Sequence, residues 1–177
     1  RDRDWNKINL DSITFPKSFI WGTATASHQV EGNCKNNWSE FEKGFKNNGK
    51  PNIKDAQISG LACDHWQRYK SDIELIKSLG VKHYRFSLEW SKIEPELGVF
   101  NDEALNHYSD VIDELLKNNI EPVITLHHFS HPIWFDKLGA FEKEKNISHL
   151  VSFCDKVFSC LLYTSPSPRD RTRSRMP

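Results

Sequence analysis

Apolar residues recur every second residue in some stretches of the chain and every third or fourth residue in others. This alternation predicts strands followed by helices. The first apolar run, FIW at residues 19–21, is short and aromatic, and it predicts a buried strand. Small residues follow from 22 to 27, and they leave room for a ligand or a neighbouring backbone at the strand exit. Because His28, Gln29 and Glu31 come next, the stretch predicts a strand that opens onto a ligand-binding shelf.

Three helices are predicted after this stretch. The first covers residues 61–79, with Gly80 as its C-terminal cap, and Asn101 is predicted to cap the second. The third covers residues 146–159. Their apolar positions recur every three or four residues and are Trp66, Tyr69, Ile73 and Ile76, then Leu105, Tyr108, Ile112 and Leu115, and finally Leu150, Phe153, Val157 and Phe158.

Two further strands are predicted over residues 81–90 and 121–128, which gives a repeated order of strand and helix. Right-handed crossovers then make the sheet parallel. Polar residues gather at the carboxyl ends of the strands, which favours a (β/α)8 TIM barrel over a doubly wound sheet. No glycine-rich phosphate-binding sequence follows the first strand. The predicted fold class is α/β, with about three βα units of such a barrel. In strand 81–90, Arg85, Ser87 and Glu89 share one face, and Phe86, Leu88 and Trp90 share the other.

Composition excludes several classes of function. The chain has 24 Lys and Arg against 24 Asp and Glu, and 37% of its 177 residues are hydrophobic, as in one soluble globular domain. Basic residues are dense only near the C-terminus, so we expect no nucleic-acid partner. No apolar run approaches the roughly 18 residues of a membrane span, so we expect no membrane contact. The chain opens on polar residues rather than a signal peptide, which favours the cytoplasm although the first residue is not Met.

The cysteines and histidines do not form a recognisable metal motif. The four cysteines lie at irregular intervals without a Cys-x-x-Cys pair, which indicates reduced thiols rather than a zinc site or a disulfide framework. His127, His128 and His131 are close in sequence, but they lack a carboxylate partner and the helical HExxH spacing. Zinc binding by these histidines therefore remains an alternative to sugar binding by His128 and packing by the other two.

The last residues differ in character from the rest. From Cys160 the chain contains Ser-Pro repeats, Arg as its only basic residue and no periodic apolar pattern. This segment resembles translated vector or adaptor sequence. We therefore expect residues 1–159 to form the native domain and residues 160–177 to be an unrelated, disordered tail.

Three motifs together resemble glycoside hydrolase family 1, the β-glucosidase and β-glycosidase family. They read FIWGTATASHQVEG, YRFSLEWSKIEP and TLHHFSHP, in this order and separation. The resemblance covers residues 13–159 and implies the N-terminal part of a (β/α)8 barrel. It also implies a retaining β-glycosidase that acts on a β-glycoside or oligosaccharide and requires no cofactor and no metal.

The resemblance implies roles for four residues. Gln29 matches the family glutamine that hydrogen-bonds sugar hydroxyls, and His128 matches the histidine beside it. Phe129 falls where the family often has Trp, so an apolar wall is kept and the indole donor is lost. Arg85 matches the arginine beneath the nucleophilic carboxylate, which it keeps ionised and in place.

The catalytic carboxyl groups of the family are not among the residues of this chain. Neither the Asn-Glu-Pro motif of its acid/base nor the Glu-Asn-Gly motif of its nucleophile occurs here. Glu31 and Glu89 are the alternatives within reach of a cavity, although a structural ion pair is the commoner role of a buried Glu. We therefore expect this chain to be an inactive part of an active parent. Two alternatives stay open: a noncatalytic sugar-binding relative, and a fragment that does not fold alone.

Overall fold

The computed structural model describes residue 9 and residues 14–162. Its strands are β1 (Gly22–Ala24), β2 (His83–Ser87) and β3 (Glu121–Thr125). Its α-helices are α1 (Ser27–Val30), α2 (Asn37–Lys43), α3 (His65–Ser78), α4 (Trp90–Ile93), α5 (Asp102–Lys117), α6 (Ile133–Lys137) and α7 (Ile147–Val157). Short 3-10 turns lie at Lys54–Ala56, Ala140–Glu142 and Glu144–Asn146, and a π-helical turn spans Phe158–Leu162. None of the helices in this described part is long and apolar enough to cross a membrane.

The strands form one parallel sheet in the order β1, β2, β3. Gly22 lies opposite His83, and His83 lies opposite Glu121, so the carboxyl ends of all three strands meet at one edge. Helix α3 lies in the first crossover and α5 in the second. The predicted parallel α/β arrangement is therefore confirmed. Within the described residues, β1 and β3 each leave one edge without a strand partner.

Helix α5 has the predicted cap and the predicted buried stripe. The side chain of Asn101 accepts hydrogen bonds from the backbone N–H groups of Glu103 and Ala104, which satisfies two donors at the helix start. The apolar side chains spaced along one face are all buried in the core: Leu105, Tyr108, Ile112 and Leu115. Both the cap and the spacing of the buried residues are those predicted from the sequence for this helix.

Trp90 lies at the centre of the core, where it has no exposed surface. Its ring stacks on Phe153 at a centroid distance of 4.9 Å and contacts Phe135 at 4.8 Å. Its indole N–H donates to Oε2 of Glu94 at 2.7 Å, so its polar atom is satisfied inside the core. Phe86, Leu88 and Trp90 are buried as expected, but the predicted strand over residues 81–90 is too long: β2 ends at Ser87, and Trp90 is the first residue of α4.

Helix α3 begins at His65 rather than at residue 61. Ala62 and Asp64 adopt left-handed backbone conformations, with φ of 50° and 56°, so the residues before His65 form a turn. The predicted C-terminal end is confirmed. Gly80 follows the helix with a φ of 74°, a conformation that glycine adopts without the steric cost of a Cβ atom.

The prediction of a buried strand at Phe19, Ile20 and Trp21 is wrong. These side chains are 47%, 64% and 55% exposed, and the two aromatic rings pack against each other and against Phe15 at centroid distances of 4.7–4.8 Å. The strand begins instead at Gly22, where a Cβ atom would lie 2.6 Å from the carbonyl oxygen of His83. Because β1 and β2 approach closely there, position 22 has no room for a side chain. The aromatic cluster lies before the strand.

The C-terminal end of the described chain crosses the predicted domain boundary. The helical turn Phe158–Leu162 continues directly from α7, and Leu161 is 2% exposed within the core. Core packing therefore extends past residue 159. The rest of the predicted tail, residues 163–177, lies outside the described residues, and its origin stays a prediction.

We expect Trp90→Ala to lower the free energy of unfolding by about 3–5 kcal/mol, because it leaves a cavity and an unpaired Glu94 carboxyl oxygen. Urea unfolding followed by far-UV circular dichroism measures this loss. Leu75→Ala, at a side chain 66% exposed on α3, is the control and should change stability by less than about 0.5 kcal/mol. Equal losses in the two variants would contradict the assignment of Trp90 to the core.

We also expect the chain to unfold in a single cooperative transition, because its buried apolar residues form one continuous cluster. Coincident urea transitions by fluorescence and circular dichroism would show this. A gradual change without a transition would instead support the alternative that the chain does not fold alone.

Candidate functional site

A cleft of about 520 Å³ lies at the carboxyl ends of β1 and β3. It brings together Gln29, His128 and Phe129, the three residues that the sequence assigns to sugar binding. The first follows β1 and the other two follow β3, as expected when parallel strands end at one edge. The complete lining is Ala26, His28, Gln29, Trp38, Glu42, Ile53, Ser59, His128 and Phe129.

Gln29 is held at the cleft by α1, a single helical turn just after β1. Ser27 begins this turn and is buried, and its backbone N–H donates to Oγ of Ser87 at 2.8 Å. The backbone N–H of Glu31 closes the turn by donating to the carbonyl oxygen of Ser27 at 2.9 Å. The side chain of Gln29 is exposed between these anchors, which agrees with the predicted polar shelf.

The loop after β3 forms the opposite wall. His128 is half-buried, and Phe129 is 71% exposed with a left-handed φ of 65°. The carbonyl oxygen of Phe129 accepts hydrogen bonds from Nε1 of Trp38 at 3.1 Å and from Nδ2 of Asn37 at 3.2 Å. Two aromatic side chains, Trp38 and Phe129, are thereby held at the cleft, although the sequence alone left the role of Trp38 open.

Arg85 lies apart from this cleft. It is exposed on β2 and is absent from the cleft lining, and its Nε donates to Oγ1 of Thr125 at 2.8 Å. Among the ion pairs of the described residues, none includes Arg85. Its guanidinium is therefore held by β3, and its supporting role stays a prediction.

Glu89 is fully buried beside the cleft. Its Oε2 accepts hydrogen bonds from Oγ of Ser27 at 3.0 Å, Nδ2 of Asn36 at 3.1 Å and Oγ of Ser130 at 3.1 Å. Its Oε1 accepts from Oγ of Ser91 at 2.6 Å. Neutral donors therefore occupy both oxygens, in place of the ion pair that sequence reasoning considered. Because Glu89 is fully buried and both of its oxygens accept hydrogen bonds from the protein, its carboxylate is not exposed to a ligand in the cleft.

Glu31 is also buried, at 4% exposure, and it forms the expected structural ion pair. Its Oε2 lies 3.0 Å from Nζ of Lys92, and its Oε1 accepts from the hydroxyl of Tyr108 at 2.7 Å. Burial raises the pKa of Glu31 to about 7, against the opposing effects of Lys92 and Tyr108. The ammonium group of Lys92 also lies 3.9 Å from the ring centroid of Trp66.

His127 and His131 stack at a centroid distance of 6.1 Å behind the cleft. Nε2 of His131 lies 3.2 Å from Oδ1 of Asp136, which links one ring to a carboxylate. Across the described residues there is no group of three or more His, Cys, Asp or Glu side chains that could hold a metal ion. The alternative of zinc binding is therefore not supported by this arrangement.

Sequence reasoning missed the polar pair His28 and Glu42 in the cleft wall. Nε2 of His28 lies 3.0 Å from Oε1 of Glu42, and Oε2 of Glu42 accepts from the backbone N–H and the hydroxyl of Ser59, each at 3.0 Å. His28 was recognised only as part of the polar tip. Glu42 and Ser59 carry no local signal, because they meet only after the long loop folds back onto α2.

A parallel sheet with a polar cleft at the carboxyl ends of its strands is typical of (β/α)8-barrel proteins that bind small molecules. The model of one such family, "Glycosyl hydrolase family 1", matches residues 11–163. The chain belongs to this family.

Individual relatives agree with this assignment. Beta-glucosidase A of Acetivibrio thermocellus is 35% identical over an alignment of 159 residues that covers 86% of this chain and 34% of that protein. The solved beta-glycosidase from Pyrococcus horikoshii is 44% identical with a TM-score of 0.72, covering 83% of this chain and 33% of the other. The beta-glucosidase from Thermotoga maritima in complex with deoxynojirimycin is 35% identical with a TM-score of 0.74, covering 81% and 34%. The chain thus spans about a third of the length of the relatives that it matches.

The pKa of Glu31 makes stability depend on pH. Since its pKa rises from 4.5 to about 7 on folding, the folded chain binds a proton that the unfolded chain has lost between these two values. The stability contributed by this site is therefore largest below about pH 4.5 and falls as the pH rises to 7. We expect the stability of the wild type relative to Glu31→Gln to fall by on the order of 2–3 kcal/mol across this window.

Urea unfolding of both proteins between pH 4 and pH 8 measures this difference. Lys92→Met is the second variant: it removes the cation that lowers the pKa of Glu31, so the fall should extend to higher pH. A stability difference between wild type and Glu31→Gln that does not vary with pH would contradict the assigned cause.

Proposed function

We propose that this chain forms part of the sugar-binding cleft of a retaining β-glycosidase. The parent protein hydrolyses the O-glycosyl bond of β-glucosides or β-galactosides at their non-reducing end. The observation that carries the proposal is the meeting of Gln29 and His128 in one cleft, beside the aromatic side chains of Trp38 and Phe129. The names of the relatives, which are β-glucosidases and a β-glycosidase, support the same class of substrate.

The cleft residues suit a sugar ring chemically. The amide of Gln29 both donates and accepts, so it can pair with neighbouring hydroxyls, and the imidazole of His128 supplies a further polar contact. Trp38 and Phe129 offer apolar surface to the C–H faces of the ring. Because Phe129 has no indole N–H, it cannot donate the hydrogen bond that a tryptophan would give at this position.

Catalysis in this proposal needs two carboxyl groups about 5 Å apart, one as nucleophile and the other as acid and base. Glu31 and Glu89 do not fit these roles, since both are buried and hydrogen-bonded within the core. The pair therefore belongs to the remainder of the parent barrel. Arg85 would orient the nucleophile from the exposed side of β2, and carboxylate chemistry of this kind requires neither cofactor nor metal.

A noncatalytic sugar-binding protein is the second candidate function. It is favoured by the presence of the cleft residues in a chain that has neither the Asn-Glu-Pro nor the Glu-Asn-Gly motif. The coding sequence of the parent separates the two candidates, because a hydrolase must encode both glutamates and a binding protein need not.

We expect purified protein of this sequence to hydrolyse no 4-nitrophenyl β-glucoside above the buffer rate, since both reacting groups are missing. Release of nitrophenol at 400 nm over several hours measures turnover. Sustained turnover that co-purifies with the chain would show that carboxylates inside it are catalytic and would overturn this part of the proposal.

We expect the chain to bind deoxynojirimycin, and Gln29→Ala to weaken this binding about 3- to 10-fold, the effect of losing one neutral hydrogen bond. Titrations followed by ¹H–¹⁵N NMR give the two dissociation constants. Gln67→Ala is the matched control because Gln67 is exposed on α3 outside the cleft. Equal affinities of the Gln29 and Gln67 variants would argue against the assigned role of Gln29.

A further inference from the structure

One oxygen of Glu89 connects the two sides of the cleft. Oε2 accepts from the hydroxyls of Ser27 and Ser130, which come from segments 103 residues apart in the chain. Ser27 is two residues before Gln29 in α1, and Ser130 is two residues after His128 in the loop that follows β3. The spacing between these two cleft residues therefore depends on a shared hydrogen-bond acceptor.

The shared acceptor restricts both segments strongly. Glu89 has no exposed surface, and Ser27 and Ser130 are each 2% exposed. A buried carboxylate without a counter-ion is costly unless its hydrogen bonds are all formed. Movement of either serine away from Oε2 would leave part of that cost uncompensated, so the two hydroxyls stay at the positions that the carboxylate sets.

A third hydrogen bond to the same oxygen extends the connection to the cleft wall. The side-chain oxygen of Asn36 accepts from the backbone N–H of Ser39 at 2.9 Å, so its amide nitrogen faces both Glu89 and His28. Nδ1 of His28, 3.2 Å away, must then be the acceptor, and the ring proton lies on Nε2, which donates to Glu42.

Glu42 is the last residue in this series of hydrogen bonds, and it lines the cleft. Partial burial opposes its ionisation, but hydrogen bonds from Ser59 and His28 keep the pKa of Glu42 below its usual value. The ionised carboxylate is the better acceptor for the Nε2 proton of His28. Glu89 is thereby connected through Asn36 to His28 and Glu42, which line the same cleft as Gln29.

We propose that Glu89 is a positioning residue that sets the separation of Gln29 and His128, through Ser27, Ser130 and Asn36, and thereby the affinity of the cleft for a sugar. It does this without contact with the ligand. The proposal rests on the proposed function of the cleft and extends it to a residue outside the cleft lining.

Three serine variants test the proposal, since each removes one hydroxyl from the same carboxylate. Ser27→Ala and Ser130→Ala act at Oε2, on the cleft side. Ser91→Ala acts at Oε1, and Ser91 is a comparably buried residue of α4 outside the cleft lining. We expect a similar loss of stability in all three. Deoxynojirimycin affinity should fall about 3- to 10-fold in the first two and less than about twofold in Ser91→Ala.

Ligand-free spectra give a second readout. In Ser130→Ala we expect the backbone amide of Gln29 and the ring carbon and nitrogen resonances of His28 to shift, because Glu89 connects Ser130 to Ser27 and, through Asn36, to His28, beside a direct contact of 3.5 Å between Oγ of Ser27 and Oγ of Ser130. Ser91→Ala should leave them in place. In Glu89→Gln, the side-chain oxygen can replace Oε2, so this variant should retain most of the affinity that Glu89→Met loses.

The outcomes separate the two proposals. Equal weakening of ligand binding by Ser91→Ala and Ser130→Ala, or unchanged resonances of Gln29 and His28 in Ser130→Ala, would overturn the positioning role. Failure of the wild-type chain to bind deoxynojirimycin would contradict the proposed function instead. The chemical-shift changes of Gln29 and His28 in the ligand-free variants would then still show whether Glu89 connects the two walls of the cleft.

Discussion

A buried carboxylate with neutral donors is the constraint on which the cleft depends. Glu89 is removed from water without a cation beside it in the described structure, and hydroxyl and amide groups supply the hydrogen bonds that water would have given. These donors come from α1, the residue before α2, α4 and the loop after β3. Four separate segments are therefore fixed relative to each other by one side chain.

The position of Glu89 is itself determined by the core. Its backbone N–H donates to the hydroxyl of Tyr108 at 2.8 Å, and the next residue, Trp90, is packed between aromatic rings. Tyr108 also donates to Glu31, whose ion pair with Lys92 holds the end of the turn that carries Gln29. Core packing and cleft geometry are thus connected through two consecutive residues that follow β2, Glu89 and Trp90.

Local patterns in the sequence predict helix α5 well, because caps and periodicity depend on neighbouring residues. They also predict that Phe86, Leu88 and Trp90 are buried, although the strand itself ends at Ser87. Gln29 and His128, which the motifs at the strand ends indicate, both line the cleft, and their role toward a sugar stays a prediction. The strand assigned to residues 19–21 was wrong, because aromatic content alone does not distinguish a strand from a cluster that precedes it. The partners of Glu89 could not be predicted, since they are common polar residues that meet only in the folded chain.

The central claim is that this cleft holds a sugar between the walls that follow β1 and β3. Intermolecular nuclear Overhauser effects between deoxynojirimycin and the chain test it most directly. The account predicts contacts from ring protons of the ligand to the side-chain amide of Gln29 and to the rings of His128 and Phe129. Contacts confined to other surfaces, with none to these three residues, would contradict it.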